Sequence, residues 1–195
     1  MDQRQSARVV FVIAVLLLSA LAACGPVSPS PAVPSPTVSQ VVDEHFQKGN
    51  EFAQEGKFEE AVAEYLAALE ADPDSVSAMV NLGIAYYNLG QLDDAIKQYQ
   101  KALEIAPEDA DIHSNLGAAY VQKNNLEQGL EEYRTAVALD PDLAQAYFGL
   151  GVIHGALQQN EEAIAAFEKF QELDEGQDPM ATDLAQQYLE ELKGR

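Results

Sequence analysis

The stretch from Val76 to Pro107 reads V-S-A-M-V-N-L-G-I-A-Y-Y-N-L-G-Q-L-D-D-A-I-K-Q-Y-Q-K-A-L-E-I-A-P. Its two halves each have the apolar spacing of a helix, and they are joined at Gly90 and closed by Pro107. The same frame recurs along the chain at one constant interval. Three sets of positions are each spaced 34 apart: Gly49, Gly83, Gly117 and Gly151; Pro73, Pro107 and Pro141; Tyr65, Tyr99, Tyr133 and Phe167. A fixed period of this length is typical of a solenoid.

Each part of the unit has a physical role. Gly83 and Ala95 are small, so two helices can cross closely there, and residues such as Tyr99 fill the space between them. Gly90 can adopt the left-handed conformation that ends the first helix. Pro107 ends the second helix. The next helix is expected to start from an acidic or hydroxyl cap, and three residues occupy that place: Ser75, Asp109 and Asp142.

The pattern L-G-x-x-Y, then A-x-x-x-Y, then P resembles the tetratricopeptide repeat (TPR). Four copies fit, at 42–75, 76–109, 110–143 and 144–177. The resemblance implies an all-α, right-handed solenoid of four helix-turn-helix repeats. Copies two and three match best, through Leu82, Gly83, Tyr86, Ala95, Tyr99, Ala102, Pro107, Leu116, Gly117, Tyr120, Tyr133, Ala136 and Pro141. The departures are Lys48, Gly129, His154, Phe170 and Glu175. Residues 178–195 are predicted to form a capping helix with Asp178 as its cap and Met180, Leu184, Tyr188 and Leu192 on one face.

The amino terminus has the features of an export signal. Residues 1–23 combine a basic start with an apolar run, and they end in Leu21-Ala22-Ala23-Cys24. This ending resembles the bacterial lipobox, which implies signal cleavage and acylation of Cys24 by chains such as palmitate. Residues 24–41 are then a lipidated cysteine and a Pro/Ser-rich linker. The alternative is an uncleaved anchor with an incidental cysteine. The resemblance places the protein in a bacterial cell envelope, at the outer membrane where the host has one and otherwise on the outer face of the cell membrane.

The charge balance limits the partners. Acids outnumber bases 32 to 11, for a net charge of −21. This argues against binding nucleic acid or docking electrostatically on anionic lipid. The acids either form a solvated surface or select a basic partner.

The chain contains no motif of an enzyme. It lacks a phosphate-binding glycine loop, a nucleophile elbow and an H-E-x-x-H sequence. The three histidines, His45, His113 and His154, occupy repeat positions, where core packing is the favoured interpretation over a metal site. We therefore predict a protein that is not an enzyme and uses no cofactor or metal.

In the TPR family the concave face is lined mainly by the first helix of each repeat. The resemblance implies a groove of thirteen residues: Phe46, Asn50, Val80, Asn81, Ile84, Tyr87, Asn88, Ser114, Asn115, Ala118, Gln122, Phe148 and Val152. Asn81 and Asn115 stand in equivalent positions of copies two and three, and their amides could read the backbone of an extended peptide. Some family members clamp a terminal carboxylate with basic residues. Here the basic slots hold Phe46, Asp111 and Asn115, so that mode is rejected.

These features predict a lipid-anchored scaffold that binds protein or peptide partners in its groove. Such a scaffold would support assembly of an envelope complex such as a pilus, a secretion pore, outer-membrane proteins or polysaccharide machinery. The alternative is a structural homo-oligomer that binds its own copies.

Overall fold

The computed structural model describes residues 37–194, which contain nine α-helices and no strands. The bounds of these helices are α1 Val38–Gln54, α2 Phe58–Ala71, α3 Val76–Asn88, α4 Leu92–Ile105, α5 Ala110–Gln122, α6 Leu126–Leu139, α7 Ala144–Ala156, α8 Asn160–Asp174 and α9 Pro179–Lys193. Residues 36–195 form a compact unit with its own core. The predicted signal, Cys24 and the linker up to residue 36 lie outside the described residues. Within residues 37–194, no helix combines the length and apolarity that crossing a membrane requires.

The helices form a row of antiparallel hairpins. Each helix packs against the next along the chain, so α1 to α8 make four successive pairs and α9 covers the last one. First helices of neighbouring pairs also touch, α1 with α3, α3 with α5 and α5 with α7. The first helices therefore line the inner face of the row, and the second helices lie outside. The predicted all-α repeat solenoid is confirmed.

Each first helix ends at a residue with positive φ. These residues follow the repeat period, and they are Gly56, Gly90, Asn124 and Gln158. Around Gly90, the Gln91 amide donates to the Tyr86 carbonyl over 2.9 Å and the Gly90 amide donates to the Tyr87 carbonyl over 3.0 Å. This is the Schellman arrangement, which satisfies carbonyls at the helix end. The left-handed turn predicted at Gly90 is confirmed.

The repeated glycines make room for the repeated aromatic rings. A Cβ added to Gly83 would lie 2.5 Å from Cε1 of Tyr99, and one added to Gly49 would lie 2.5 Å from Cε1 of Tyr65. A Cβ at Gly151 would lie 2.7 Å from the Phe167 ring. The aromatic side chain of each second helix thus packs directly on the backbone of its own first helix, and these rings are buried.

The helix starts differ in part from the sequence prediction. α1 begins at Val38, inside the range 24–41 that was predicted as a linker, because Thr37 forms a capping box: its hydroxyl accepts from the Gln40 amide, and the Gln40 side chain accepts from the Thr37 amide. Asp109 caps α5 as expected, with its carboxylate 3.1 Å from the Ile112 amide. Asp142 does not cap α7, since the N-cap is Leu143. Ser75 occupies the N-cap of α3 without a side-chain hydrogen bond.

The carboxyl-terminal helix packs on the last repeat. Asp178 accepts hydrogen bonds from the amides of Met180 and Ala181, which confirms the predicted cap. The ring of Tyr188 stacks on Phe167 with centroids 5.1 Å apart. Of the four residues predicted on one face of this helix, Met180 is 82% exposed and Leu184 is 41% exposed. The buried positions of α9 are instead Ala185 and Leu189, with Ala181, Tyr188 and Leu192 packed around them.

Candidate binding groove

Three pockets follow one another along the inner face. An amino-terminal pocket of about 180 Å³ lies between α1 and α3, a middle pocket of about 230 Å³ between α3 and α5, and a deep pocket of about 340 Å³ between α5 and α7. Ile84 belongs to the first two, and Tyr87 and Ala118 belong to the last two, so the three form one trough. The middle and deep pockets together are called the central groove below.

No charged side chain lines any of these three pockets. Two of the helices that line them, α3 and α7, contain no Asp, Glu, Lys or Arg at all. The second helices carry many, for example the acids at the start of α2, α4 and α8. The acids of residues 37–194 therefore lie outside the groove, whose lining consists of amides, phenols and apolar groups.

The polar groups of the amino-terminal pocket bond to one another. The Tyr65 hydroxyl donates to Oδ1 of Asn50 over 2.7 Å, and the Asn81 amide donates to the same oxygen over 2.8 Å. Asn50 thus accepts two hydrogen bonds and connects α1, α2 and α3. Of the two amides predicted to read a peptide backbone, that of Asn81 is therefore engaged within the protein.

The central groove is different, because its polar groups have no such acceptor. Ile84 stands in the repeat position of Asn50 one copy later, so the hydroxyl of Tyr99 and the amide of Asn115 lack the bond that Tyr65 and Asn81 make. Both side chains line the middle pocket, and neither hydrogen-bonds another described residue. The same holds for the hydroxyls of Tyr87 and Tyr133 in the deep pocket.

Burial keeps two of these phenols protonated. It raises the pKa of Tyr99 and of Tyr133 well above the usual value for tyrosine, and the neighbouring Tyr87 is a smaller cause of the same sign for both. Tyr99 is 2% exposed and Tyr133 is 5% exposed. Both hydroxyls are therefore neutral donors at any physiological pH.

Most residues predicted for the groove line these pockets, and three do not. Ten lie in the trough: Asn50, Asn81, Ile84, Tyr87, Asn88, Asn115, Ala118, Gln122, Phe148 and Val152. Phe46 packs on the Tyr65 ring with centroids 6.0 Å apart. Val80 packs against the core around Tyr99. The expectation for Ser114 is not met, because it is 1% exposed and its hydroxyl is buried without a hydrogen-bond partner.

The sequence reasoning missed several lining residues. The tyrosines of the second helices, Tyr65, Tyr99 and Tyr133, reach through to the inner face. Their shared period marked them as fillers between helices, and the depth of their hydroxyls is not visible in that pattern. Gln145 and Gly149 of α7 also line the central groove. Gly149 stands at the repeat position that Asn81 and Asn115 hold in the two preceding copies. This change from asparagine to glycine was the sequence signal that could have identified Gly149 as a lining residue.

Two histidines join helices within a repeat. Nδ1 of His45 lies 2.6 Å from the Glu64 carboxylate, and Nδ1 of His113 lies 2.7 Å from the Glu132 carboxylate. His154 is buried, with Nδ1 2.6 Å from Oε1 of Gln159. None of the three lines the trough, so their roles in this structure are contacts within repeats.

Comparison with known proteins agrees with this geometry. Models described as tetratricopeptide repeat match residues 46–110, 98–131 and 144–177, and one described as TPR repeat matches residues 119–158. None of the curated proteins matches the chain.

Several solved structures are similar. The MamA protein is 26% identical over 80% of this chain and 84% of its own, with a TM-score of 0.67. MamA from Desulfovibrio magneticus RS-1 is 28% identical over 70% of this chain and 77% of its own, with a TM-score of 0.64. The first TPR of Spaghetti (RPAP3), bound to the HSP90 peptide SRMEEVD, is 28% identical over 62% of this chain and 95% of its own, with a TM-score of 0.59.

The four matches run from residue 46 to residue 177 and coincide with the stacked hairpins and their constant spacing. The chain is a protein of the tetratricopeptide repeat family, with a protein-interaction fold.

Proposed function

We propose that this protein is a membrane-anchored scaffold that binds a segment of a partner protein in its trough and holds that partner at the cell envelope. The observation that carries the proposal is the continuity of the three pockets along the inner face, with donors that lack acceptors in its centre. A linear row of pockets suits an extended chain, because each pocket can take one side chain.

The similar structures support a peptide ligand. The RPAP3 domain is solved with a bound HSP90 peptide, and it shares the fold of this chain. That peptide ends in acidic residues, whereas the trough described above contains no basic side chain to receive them. The partner of this protein is therefore expected to differ in chemistry from that peptide.

The anchor is the second part of the proposal. Cys24 follows Leu21-Ala22-Ala23, and acylation there by two or more chains would give stable membrane attachment. The Pro-rich linker would then hold the solenoid away from the membrane, where it could concentrate partners of an assembling pilus, secretion, outer-membrane or polysaccharide complex. Cys24→Ala should abolish labelling by radioactive palmitate. Labelling of the variant equal to that of the wild type would contradict this part.

The groove is tested by substitution. Asn81→Ala combined with Asn115→Ala should reduce partner capture from membranes, with the lipidated protein as bait and mass spectrometry as readout. Since Asn81 also bonds Asn50, the helical circular dichroism of the variant has to be measured beside capture. Unchanged capture by a folded double variant would place the interface on the outer face or on α9.

The alternative function, a structural protein that binds its own copies, leads to a different expected mass in solution. Light scattering of the fragment 36–195, which keeps the Thr37 cap, should give the mass of a single chain if the groove serves a foreign partner. A dimer or larger species that dissociates on substitution of groove residues would favour the structural alternative.

A further inference from the structure

We infer that the central groove takes an extended peptide segment without charged side chains, seating one large apolar side chain in the deep pocket. This inference rests on the proposed function and names the chemistry of its ligand. It depends on three observations: the lack of charge in the lining, the donors without acceptors, and the volume and apolar walls of the deep pocket.

The lining disfavours charge of either sign. A cationic side chain would lose water on entry and meet no carboxylate, since no acid lines the middle or deep pocket. An anionic side chain would meet no Lys or Arg and would also enter the field of a chain with net charge −21. Only an uncharged segment avoids both costs.

The orphaned donors suit the backbone of such a segment. In the amino-terminal pocket, the oxygen of Asn50 accepts from Tyr65 and Asn81. In the next repeat Ile84 removes that oxygen, so Tyr99 and Asn115 face the groove with donors and no acceptor from the protein. A peptide carbonyl is an uncharged acceptor with two lone pairs, and it can take the place that Asn50 fills one repeat earlier.

The deep pocket supplies the apolar site. Its walls include Val121, Phe148 and Val152, and its volume of about 340 Å³ is enough for one large side chain. Gly149 makes room for the Tyr133 ring, since a Cβ added at this position would overlap Cζ of that ring. An Asn in this slot, as at position 115, would displace the tyrosine ring, so the glycine and the ring together define the pocket floor.

A display library of random 12-residue peptides provides the test. Fragment 36–195, which is the compact unit with its own core, is the target, and Ala118→Lys is the counter-target because Ala118 borders both pockets of the central groove. Enriched peptides are expected to share an uncharged run of about six residues that contains Leu, Ile, Met or Phe. If Ala118→Lys does not fold, Gln122→Lys is a second variant that blocks the groove, because Gln122 lines the deep pocket and is exposed.

One enriched peptide is then synthesised and its Kd measured by fluorescence anisotropy. Replacing its central apolar residue by Asp or by Lys should weaken binding at least ~30-fold. Tyr99→Phe and Tyr133→Phe in the protein should each weaken it about 3- to 10-fold, as expected for loss of one hydrogen bond. Ala165→Lys on α8, exposed and outside the trough, is the matched control and should leave Kd within ~2-fold.

The outcomes separate the inference from the proposed function. Enriched peptides that lose binding to the blocking variants but carry charged residues through their shared run would overturn the inference and leave groove binding intact. Peptides that bind the blocking variants as well as the wild type, or no enrichment at all, would overturn both.

Discussion

The contact between Gly83 and Tyr99 allows a sharp test of the packing. Alanine at position 83 would place its Cβ 2.5 Å from Cε1 and 2.9 Å from Cδ1 of Tyr99, where ordinary contact begins near 3.4 Å. The ring would have to retreat by about 0.9 Å, the difference between 3.4 and 2.5. Tyr99 is 2% exposed and has no space to do so without disturbing its neighbours.

The size of the effect follows from two opposing terms. Forcing a methyl group into a filled core costs about 1–3 kcal/mol, and the depth of this overlap favours the upper half of that range. Replacing glycine by alanine inside a helix increases the free energy of unfolding by up to about 1 kcal/mol. Gly83→Ala should therefore lower the free energy of unfolding by about 1–2 kcal/mol and Tm by roughly 3–6 °C for a domain of this size.

Two other helical glycines serve as matched controls. At Gly117 the added Cβ would meet Tyr133 carbons at 3.2 Å, a contact that a small shift can relieve, so Gly117→Ala should change stability little. At Gly155 nothing lies within 4 Å, and Gly155→Ala should stabilise by about 0.5–1 kcal/mol.

Urea unfolding of fragment 36–195, followed by circular dichroism, measures all three variants. Stability of Gly83→Ala equal to that of Gly155→Ala would refute the reasoning. A double variant with Tyr99→Leu adds a second check, because without the ring the added methyl group should cost about 1 kcal/mol less.

Four further predictions use the same unfolding assay. Tyr65→Phe should cost about 1 kcal/mol because its hydroxyl bonds Asn50, whereas Tyr99→Phe should cost less than about 0.5 kcal/mol; equal losses would contradict the difference in partners. Ser114→Ala should stabilise by about 1 kcal/mol, since its buried hydroxyl is unpaired, and a loss would reveal a partner. Gln158→Gly should stabilise by about 0.5–1 kcal/mol by relieving positive φ, and Gln158→Ala should not. Burial raises the folded pKa of Tyr99 and Tyr133, so unfolding releases their protons above about pH 10. Stability should be full below that pH and fall above it, by up to about 1.4 kcal/mol per pH unit for each tyrosine, a slope that Tyr→Phe variants should reduce.

The sequence predicted the fold because the packing repeats. Gly83 permits a close approach, Tyr99 fills it, and Gly90 turns the chain, so a single repeat period contains the whole hairpin. The helix starts were harder to predict, because an N-cap depends on a few neighbouring residues and not on the repeat period. Thr37 and Gln40 form a capping box inside the stretch that composition assigned to the linker. Asp142 does not cap α7, because the N-cap position falls one residue later, at Leu143.

The sequence predicted which helix face lines the groove, but not how deeply each side chain on that face is buried. Period alone assigns Ser114 the slot of Phe46 and Phe148, but a serine is too short to extend past larger neighbours and is buried. Conversely, Tyr99 was assigned to the core, which is correct for its ring, while its hydroxyl opens on the middle pocket. Which end of a side chain reaches a surface depends on tertiary packing that a periodic pattern does not encode.

Differences between the repeats shape the deep pocket. Gly129 stands where the family pattern has alanine, and a Cβ there would lie 2.8 Å from Cγ2 of Val121, so Val121 occupies space that an alanine would take. Gly149 stands in the slot of Asn115, and its lack of a side chain admits the Tyr133 ring. Val121, Gly149 and Tyr133 all line the deep pocket. Two positions at which one repeat differs from the others, in different helices, thus act on one cavity, and binding specificity is best sought where the repeats differ from one another.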